Sequence, residues 1–346
     1  AAHRLRMRLF WRGKQRSAAL LQYNQCADYL EEELGIEPAD ETKKLYIQIQ
    51  QESIPLSAEK QDSSRLPESS AQPSKHNLTN KLTSFIGRQT ELEKLTEYLL
   101  VRKHSLVSII GEGGVGKTRL ALAVASQIVA DSASAIRYPD GVWFISCVGI
   151  SAGETAEQQL IASIGTTIGL TFQGATPTLK QLMDYMHNRS TLLILDNFEH
   201  LLESTPLVLQ LVEGFPKLQI LITSRHRLNI QSDLPLQLEG VAIPQFGQKD
   251  IDDVLTPEEL SRLLAVSSVQ ILRDRAIRNW VDFTIDDRNG VAVAKLCQLL
   301  DGNPLALELA AHLVVNFDLA TLYNELTRNY TLLAADLQDL PFRQRS

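Results

Sequence analysis

Cysteine is scarce in this chain of 346 residues: there are three, Cys26, Cys147 and Cys297, far apart and in no C-x-x-C pair. That spacing excludes a disulfide framework and a thiolate metal site. It fits a reducing cytosol, so a cytoplasmic location is expected. The seven histidines stand at no ligand spacing to those cysteines. Positive charge is not in surplus either. Lys and Arg number 34 against 41 Asp and Glu, a net charge of -7, which argues against a surface that coats nucleic acid. No apolar run approaches the ~20 residues that cross a bilayer, so no membrane partner is expected. The opening "AAHRLRMRLFW" is basic but has no apolar core behind it, unlike a signal peptide. What is present is an ordinary apolar content of 44%, enough for real cores, on a length that suggests two or three domains. The chain starts without Met, inside an amphipathic pattern, and reads as a fragment.

Four stretches differ in character. Residues 3 to 50 read as helices, with Ala18, Leu21, Tyr23, Ala27, Leu30 and Leu34 near helical spacing and a stop at Gly35 and Pro38. Their Gly turn and Tyr/Ala pattern resembles tetratricopeptide packing, so 1–50 is expected to be TPR-like. The basic residues Arg4 to Arg16 fall on what reads as a solvated helix face rather than a DNA reader. Residues 51–78, rich in Ser, Pro, Gln and charge, read as a flexible linker. From 79 to 248 strands and helices alternate. Strands are expected at 105–110, 141–148, 191–196, 218–224 and 234–240. Helices are expected at 90–101, 117–130, 154–168, 178–188 and 205–213. Short, nearly all-apolar strands imply a sheet covered on both faces, hence an α/β, doubly wound, mostly parallel five-stranded core. Residues 249–346 carry no strand signal. Helices over 257–277, 290–300 and 304–314, continuing to about 336, make a helical subdomain.

The segment "SIIGEGGVGKTRLALAV" (108–124) concentrates glycine where helix and strand both suffer from it. "GEGGVGKT" fits G-x-x-x-x-G-K-[ST] at Gly111, Gly116, Lys117 and Thr118, a coincidence of roughly 1% for a chain this long. It stands between an expected strand and an amphipathic helix. Glycines let backbone N–H groups turn inward, and a helix N-terminus adds about +0.5 charge, so the loop suits a phosphate chain. Gly111, Gly113, Gly114, Val115, Gly116, Lys117, Thr118 and Arg119 are therefore candidate nucleotide-binding residues. Lys117 supplies charge to the terminal phosphates and Thr118 a hydroxyl to Mg²⁺. A glycine turn alone has no use for the Lys-Thr pair.

Two further strands end in polar groups at the same sheet edge. "LLILDNFEHL" ends in Asp196, a second candidate for Mg²⁺. Asn197 beside it is a poor base, and Glu199 is the candidate to activate water, or else a solvated cap. "LQILITSRHRL" ends in Thr223, Ser224 and Arg225. Arg225 is placed to report a γ-phosphate, or else is a surface residue after a buried strand. Lys117, Asp196, Glu199 and Arg225 form the candidate catalytic set.

In order and spacing, "LTSFIGRQTELEKL", "GEGGVGKTRLA", "LLILDNFEHL", "ILITSRHRL" and "DGNPLALELAA" resemble the STAND-class signal-transduction ATPases with an NB-ARC-like domain of the AAA-like P-loop kind. The resemblance covers about 79–340. Residues 1–50, especially "ALLQYNQCADYLEEELGIEPADETKKLY", are similar to the end of a bacterial transcriptional activator domain, and the pairing is that of SARP-type (AfsR-type) regulators. It implies ATP/ADP binding with Mg²⁺, weak ATPase activity used as a switch, self-association in the ATP form, and DNA contact only through a domain upstream of residue 1. In a full-length regulator it implies RNA polymerase as a partner. Hydrolysing relatives carry Glu or Asp where this chain has Asn197, which implies slow turnover. Phe85, Ile86, Gly87 and Arg88 match the segment lining the adenine site, or else a hydrophobic staple before a helix. Gly302, Asn303, Pro304 and Leu305 match the "GLPL" motif, with Asn303 where Leu is usual. Pro304 would pack on the nucleotide, or simply start a helix. The chain stops near the start of the family's winged-helix segment, whose His touches the ADP β-phosphate. An immune-type STAND sensor is the alternative. A motor or transport ATPase lacks support, since no "LSGGQ"-type signature or helicase series follows, and a small-molecule kinase would need an arginine-rich lid.

Overall fold

The computed structural model describes residues 75–78, 84–174, 178–245 and 249–328, together with Thr42. Thr42 apart, the TPR-like helices expected in 1–50 lie outside the described residues, and so do residues 51–74 of the linker expected over 51–78. So does any helix past 328. All described residues but Thr42 belong to one compact unit, Ala71–Ser346.

Strands β1 (Leu106–Ile110), β2 (Val142–Ser146), β3 (Thr191–Asp196), β4 (Leu218–Ser224) and β5 (Asp233–Gln237) form one sheet in the order β2-β3-β4-β1-β5. Every pairing is parallel. Helices α1 (Gln89–Thr96, continued by a π-helical turn Glu97–Val101), α2 (Lys117–Ala130), the single turn α3 (Ser132–Ala135), α4 (Ala156–Thr167), α5 (Leu179–Met186) and α6 (Thr205–Gly214) cover it. Successive strand side chains point to opposite faces, and the burial follows that period. Val107, Ile109, Leu192, Ile194 and Leu221 pack with Leu95, Leu120 and Val124 of α1 and α2. Leu193, Leu195, Ile220 and Ile222 pack with Leu160, Leu182 and Leu211 of α4, α5 and α6. β3, β4 and α2 coincide with the spans read from the sequence. β2 is shorter, because Cys147–Gly149 turns away as a 3₁₀ turn that delivers Ile150 to the core. β5 begins one residue early and ends at Gln237.

Residues 75–78, assigned to the linker from composition, run along β2. His76 bridges Val142. The Asn77 amide imitates a strand's peptide group: its Oδ1 accepts from Phe144 N (2.7 Å) and its Nδ2 donates to Phe144 O (2.8 Å).

The remainder is helical: α7 (Pro257–Leu264), α8 (Ser267–Asn279), α9 (Gly290–Leu299), α10 (Pro304–Leu313) and α11 (Leu319–Arg328), around Leu263, Val269, Leu272, Leu307 and Leu322. Residues 257–277 are not one helix. The chain breaks at Val266 (φ -76°, ψ 135°), which frees Ser268 N to donate to Ala242 O (3.1 Å) and seats Ser267 against Gly87. The apolar period runs through the break without glycine or proline, so nothing local marks it.

Candidate functional site

β4 lies between β1 and β3, which brings three strand ends together at the carboxyl edge of the sheet. The loop after β1 turns through Gly114 (φ +77°) and Gly116 (φ +102°), left-handed conformations that L side chains rarely adopt. Nothing lies within 4 Å of where a Gly116 Cβ would project. Gly116 is also the N-cap of α2, and no side chain caps that helix. Its first N–H groups are the orphan donors of any helix start, and such donors suit an anion. Val115 packs into the core beneath the loop. Lys117 is buried, and its Nζ donates to Gly111 O and Glu112 O (both 2.7 Å). Burial pushes its pKa down; the Glu199 carboxylate opposes that shift and the Arg225 guanidinium adds to it.

Asp196 is buried at the end of β3. Its Oδ1 accepts from Thr118 Oγ1 (2.6 Å) and from Thr223 Oγ1 (2.7 Å), while Thr223 Oγ1 accepts from Asn197 N (2.9 Å). A hydroxyl and a carboxylate oxygen, side by side under this glycine loop, are hard oxygen donors that fit Mg²⁺. Thr223 is a residue whose part the sequence did not reveal; it fixes Asp196 from the neighbouring strand. Arg225 leaves the end of β4 and pairs with Glu199 (Nε to Oε1, 3.3 Å). Its guanidinium lies 3.4 Å from where a Gly113 Cβ would sit. Lys117, Asp196, Glu199 and Arg225, far apart in sequence, are thus brought together.

The residues matched to an adenine site gather on the other side of the loop. Phe85, Ile86, Arg88, Val115, Gly116, Arg119 and Pro304 line a cavity of about 30 Å³. That is the share of one water molecule, so a purine enters only if the walls part. Gly87 (φ +73°) passes hard against Ser267. Arg88 is buried and ties three places together: it donates to Val115 O (3.2 Å) and Glu239 O and pairs with Glu91 (2.7 Å). Arg119 Nη2 donates to Ser84 O (2.6 Å), and burial, then the Arg275 charge, lowers its pKa. Two charged residues of the bundle that the sequence did not reveal complete the wall, Arg275 and Glu308 (Nε to Oε2, 3.4 Å). A larger cavity of about 840 Å³ lies between 237–245 and 299–306; it meets the loop at Glu112 and Val115 and includes neither Lys117 nor Asp196.

The bundle grips the loop directly. Asn303 caps α10 through Oδ1, accepting from Leu305 N (3.0 Å), and its Nδ2 donates to Gly113 O (2.9 Å). Leu305 N also lies 3.2 Å from Gly114 O. A Leu in place of Asn303 could make none of the side-chain bonds. Below, Val241 N donates to Gly302 O (2.9 Å), and a Cβ on Gly240 or Gly302 would collide with the other segment's backbone.

Residues 88–232 match the family model of the NB-ARC domain, and residues 1–50 match that of the bacterial transcriptional activator domain. An HTH-type transcriptional regulator of Mycobacterium tuberculosis is 32% identical over 248 residues, 71% of this chain and 24% of its own. Regulatory protein AfsR of Streptomyces coelicolor is 24% identical over 330 residues, 90% of this chain and 29% of its own. A solved structure, the STAND protein with a tetratricopeptide repeat sensor from Pyrococcus horikoshii, is 20% identical with a TM-score of 0.41, over 74% of this chain and 34% of that one. The chain therefore spans about a quarter of the length of the HTH-type regulators it matches.

Proposed function

The chain carries an NB-ARC domain joined to a bacterial transcriptional activator domain, the pairing of STAND-class regulators of the SARP type, and from that premise we propose that it is a nucleotide-gated switch in transcriptional control. The observation that carries the reading is the convergence of an uncapped helix start, the Lys117 ammonium and the Thr118–Asp196 oxygens beneath one glycine loop. In this reading residues 79–248 bind ATP or ADP and 249–346 close over the nucleotide. DNA is engaged only through a domain upstream of residue 1, RNA polymerase is a partner of the full-length regulator, and the ATP form self-associates. Lys117 leaves its two carbonyl partners for the β- and γ-phosphates. Thr118 and Asp196 would hold Mg²⁺, which neutralises phosphate charge when bound. Phe85, Ile86 and Pro304 flank the base.

Hydrolysis is slow in this reading. Glu199 takes a proton from a water whose oxygen bonds to the γ-phosphorus as the bond to the bridging oxygen breaks and ADP leaves. Arg225 and Lys117 balance the charge that develops. Asn197, next to Asp196, adds no second carboxylate. Moving such a switch from 1:99 to 99:1 takes about 5.5 kcal/mol of differential affinity. Contacts that only a γ-phosphate makes are the source.

The test is to purify the protein gently, denature it and identify the released nucleotide, then titrate ADP and Mg²⁺ into the emptied protein. Recovery or binding of ADP is expected. Lys117→Ala is expected to weaken binding about 100-fold, the worth of charge-assisted hydrogen bonds totalling ~3 kcal/mol. Unchanged binding by that variant would overturn the reading.

A further inference from the structure

We propose that Glu199 sets how sharply this site distinguishes a nucleoside triphosphate from a diphosphate, by holding Arg225 against the claim of a terminal phosphate. The inference rests on the nucleotide-binding reading above and adds a competitor inside the site.

Glu199 is held in place from both sides. Asn197 takes a left-handed conformation (φ +60°) and its N–H is bonded to Thr223 Oγ1 (2.9 Å) on the neighbouring strand. Phe198 is fully buried. The His200 ring nitrogen Nε2 sits 2.9 Å from Cys147 O and 3.0 Å from Ile150 O. The backbone that carries the carboxylate is therefore fixed to β3, β4 and the turn after β2. Arg225 is the movable partner. Its side chain is 54% exposed against 22% for Glu199.

Arg225 reaches two places at once. Its Nε lies 3.3 Å from Glu199 Oε1, and its guanidinium borders the loop at Gly113. Glu199 Oε2 is buried and has no hydrogen-bond partner among the described residues. One carboxylate thus holds the cation that a γ-phosphate would take.

A diphosphate ends short of Arg225 and leaves the pair intact. A triphosphate must separate Arg225 from Glu199 before using it, and Glu199 is left with fewer partners than before. The pair therefore lowers the preference for triphosphate without touching diphosphate affinity. Mobile, partly exposed pairs contribute modestly, so the expected effect is about fivefold.

The experiment is a double-mutant cycle read by calorimetry with Mg²⁺, using ADP and the non-hydrolysable β,γ-imido analogue of ATP. Glu199→Gln keeps the shape and removes the charge. It should raise analogue affinity relative to ADP about fivefold. In an Arg225→Ala background the same change should leave that ratio where it was. Arg225→Gln serves as a second background should the alanine variant fail to fold. An equal shift in both backgrounds would mean direct repulsion of phosphate by Glu199, and no shift in either would mean no competition; both overturn the proposal. Failure of the unmodified protein to bind either nucleotide would instead overturn the reading on which it rests.

Discussion

Ser108 sits in the middle of β1 and is fully buried, yet it carries a hydroxyl. Its partner is Asp233 on β5, with Ser108 Oγ 2.7 Å from Oδ2. The second carboxylate oxygen, Oδ1, is buried without a hydrogen bond among the described residues. Burial holds the Asp233 carboxyl above its usual 3.8, against the smaller pull of the Ser108 bond and the Arg227 charge. For a raised carboxyl the stabilising form is the protonated one. Its contribution is complete below the unfolded value of 3.8 and is lost as pH rises through the higher folded value. At neutral pH the wild type thus bears a penalty that Asp233→Asn removes while keeping an acceptor for Ser108. Thermal melts should show the variant more stable at pH 7, by about 1 kcal/mol or less. The difference should shrink as pH falls through the raised folded value and vanish only below 3.8. A constant difference across that range would contradict the assignment.

At the scale of elements, the junction of α10 with the glycine loop rests on small size at one position. A Cβ on Gly114 would lie 2.7 Å from Leu305 Cβ and 2.8 Å from Asn303 Oδ1, and φ there is +77°. Gly114→Ala should destabilise the protein by roughly 1–3 kcal/mol through strain and overpacking. Gly149→Ala, where nothing lies within 4 Å, is the control expected to be near neutral. Asn303→Ala should cost about 1 kcal/mol as a lost helix cap. The elements themselves were largely legible. β3 carries four successive apolar residues before Asp196, β4 is apolar but for Gln219 before it ends in Thr223 and Ser224, and α2 follows a loop that only a few functions require. The loop, Asp196, Glu199 and Arg225 were legible as candidates because each ends or follows a strand. What sequence did not reveal was contact between distant residues. Asn303 and Gly113 are 190 positions apart, and nothing local marks Thr223 or Arg275 as partners across the fold. The break at Val266 was hidden for the opposite reason: local pattern favoured one helix, and bonds to Ala242 and Gly87's close passage decided otherwise.

At the scale of the molecule, the sheet and the bundle share one compact unit, so they are expected to melt together. Saturation with ADP and Mg²⁺ at about 100 times Kd should add ~2.7 kcal/mol, raising Tm by roughly 5–10 °C for a unit of this size. Chelating the Mg²⁺ should reverse part of that rise, and a shift confined to one of two separate transitions would refute the shared melt. The reason for coupling is visible where backbones meet bare. Gly302 abuts Val241 O and Gly240 abuts Asp301 O, while a few residues upstream Leu238 O stands against Gly111 at the start of the loop. Three peptide segments are stacked like unpadded gears, with no rotamer between them to absorb motion. Main chain thus joins the bundle to the loop beside the Asn303 side chain, and that closeness depends on those three positions carrying no side chain at all.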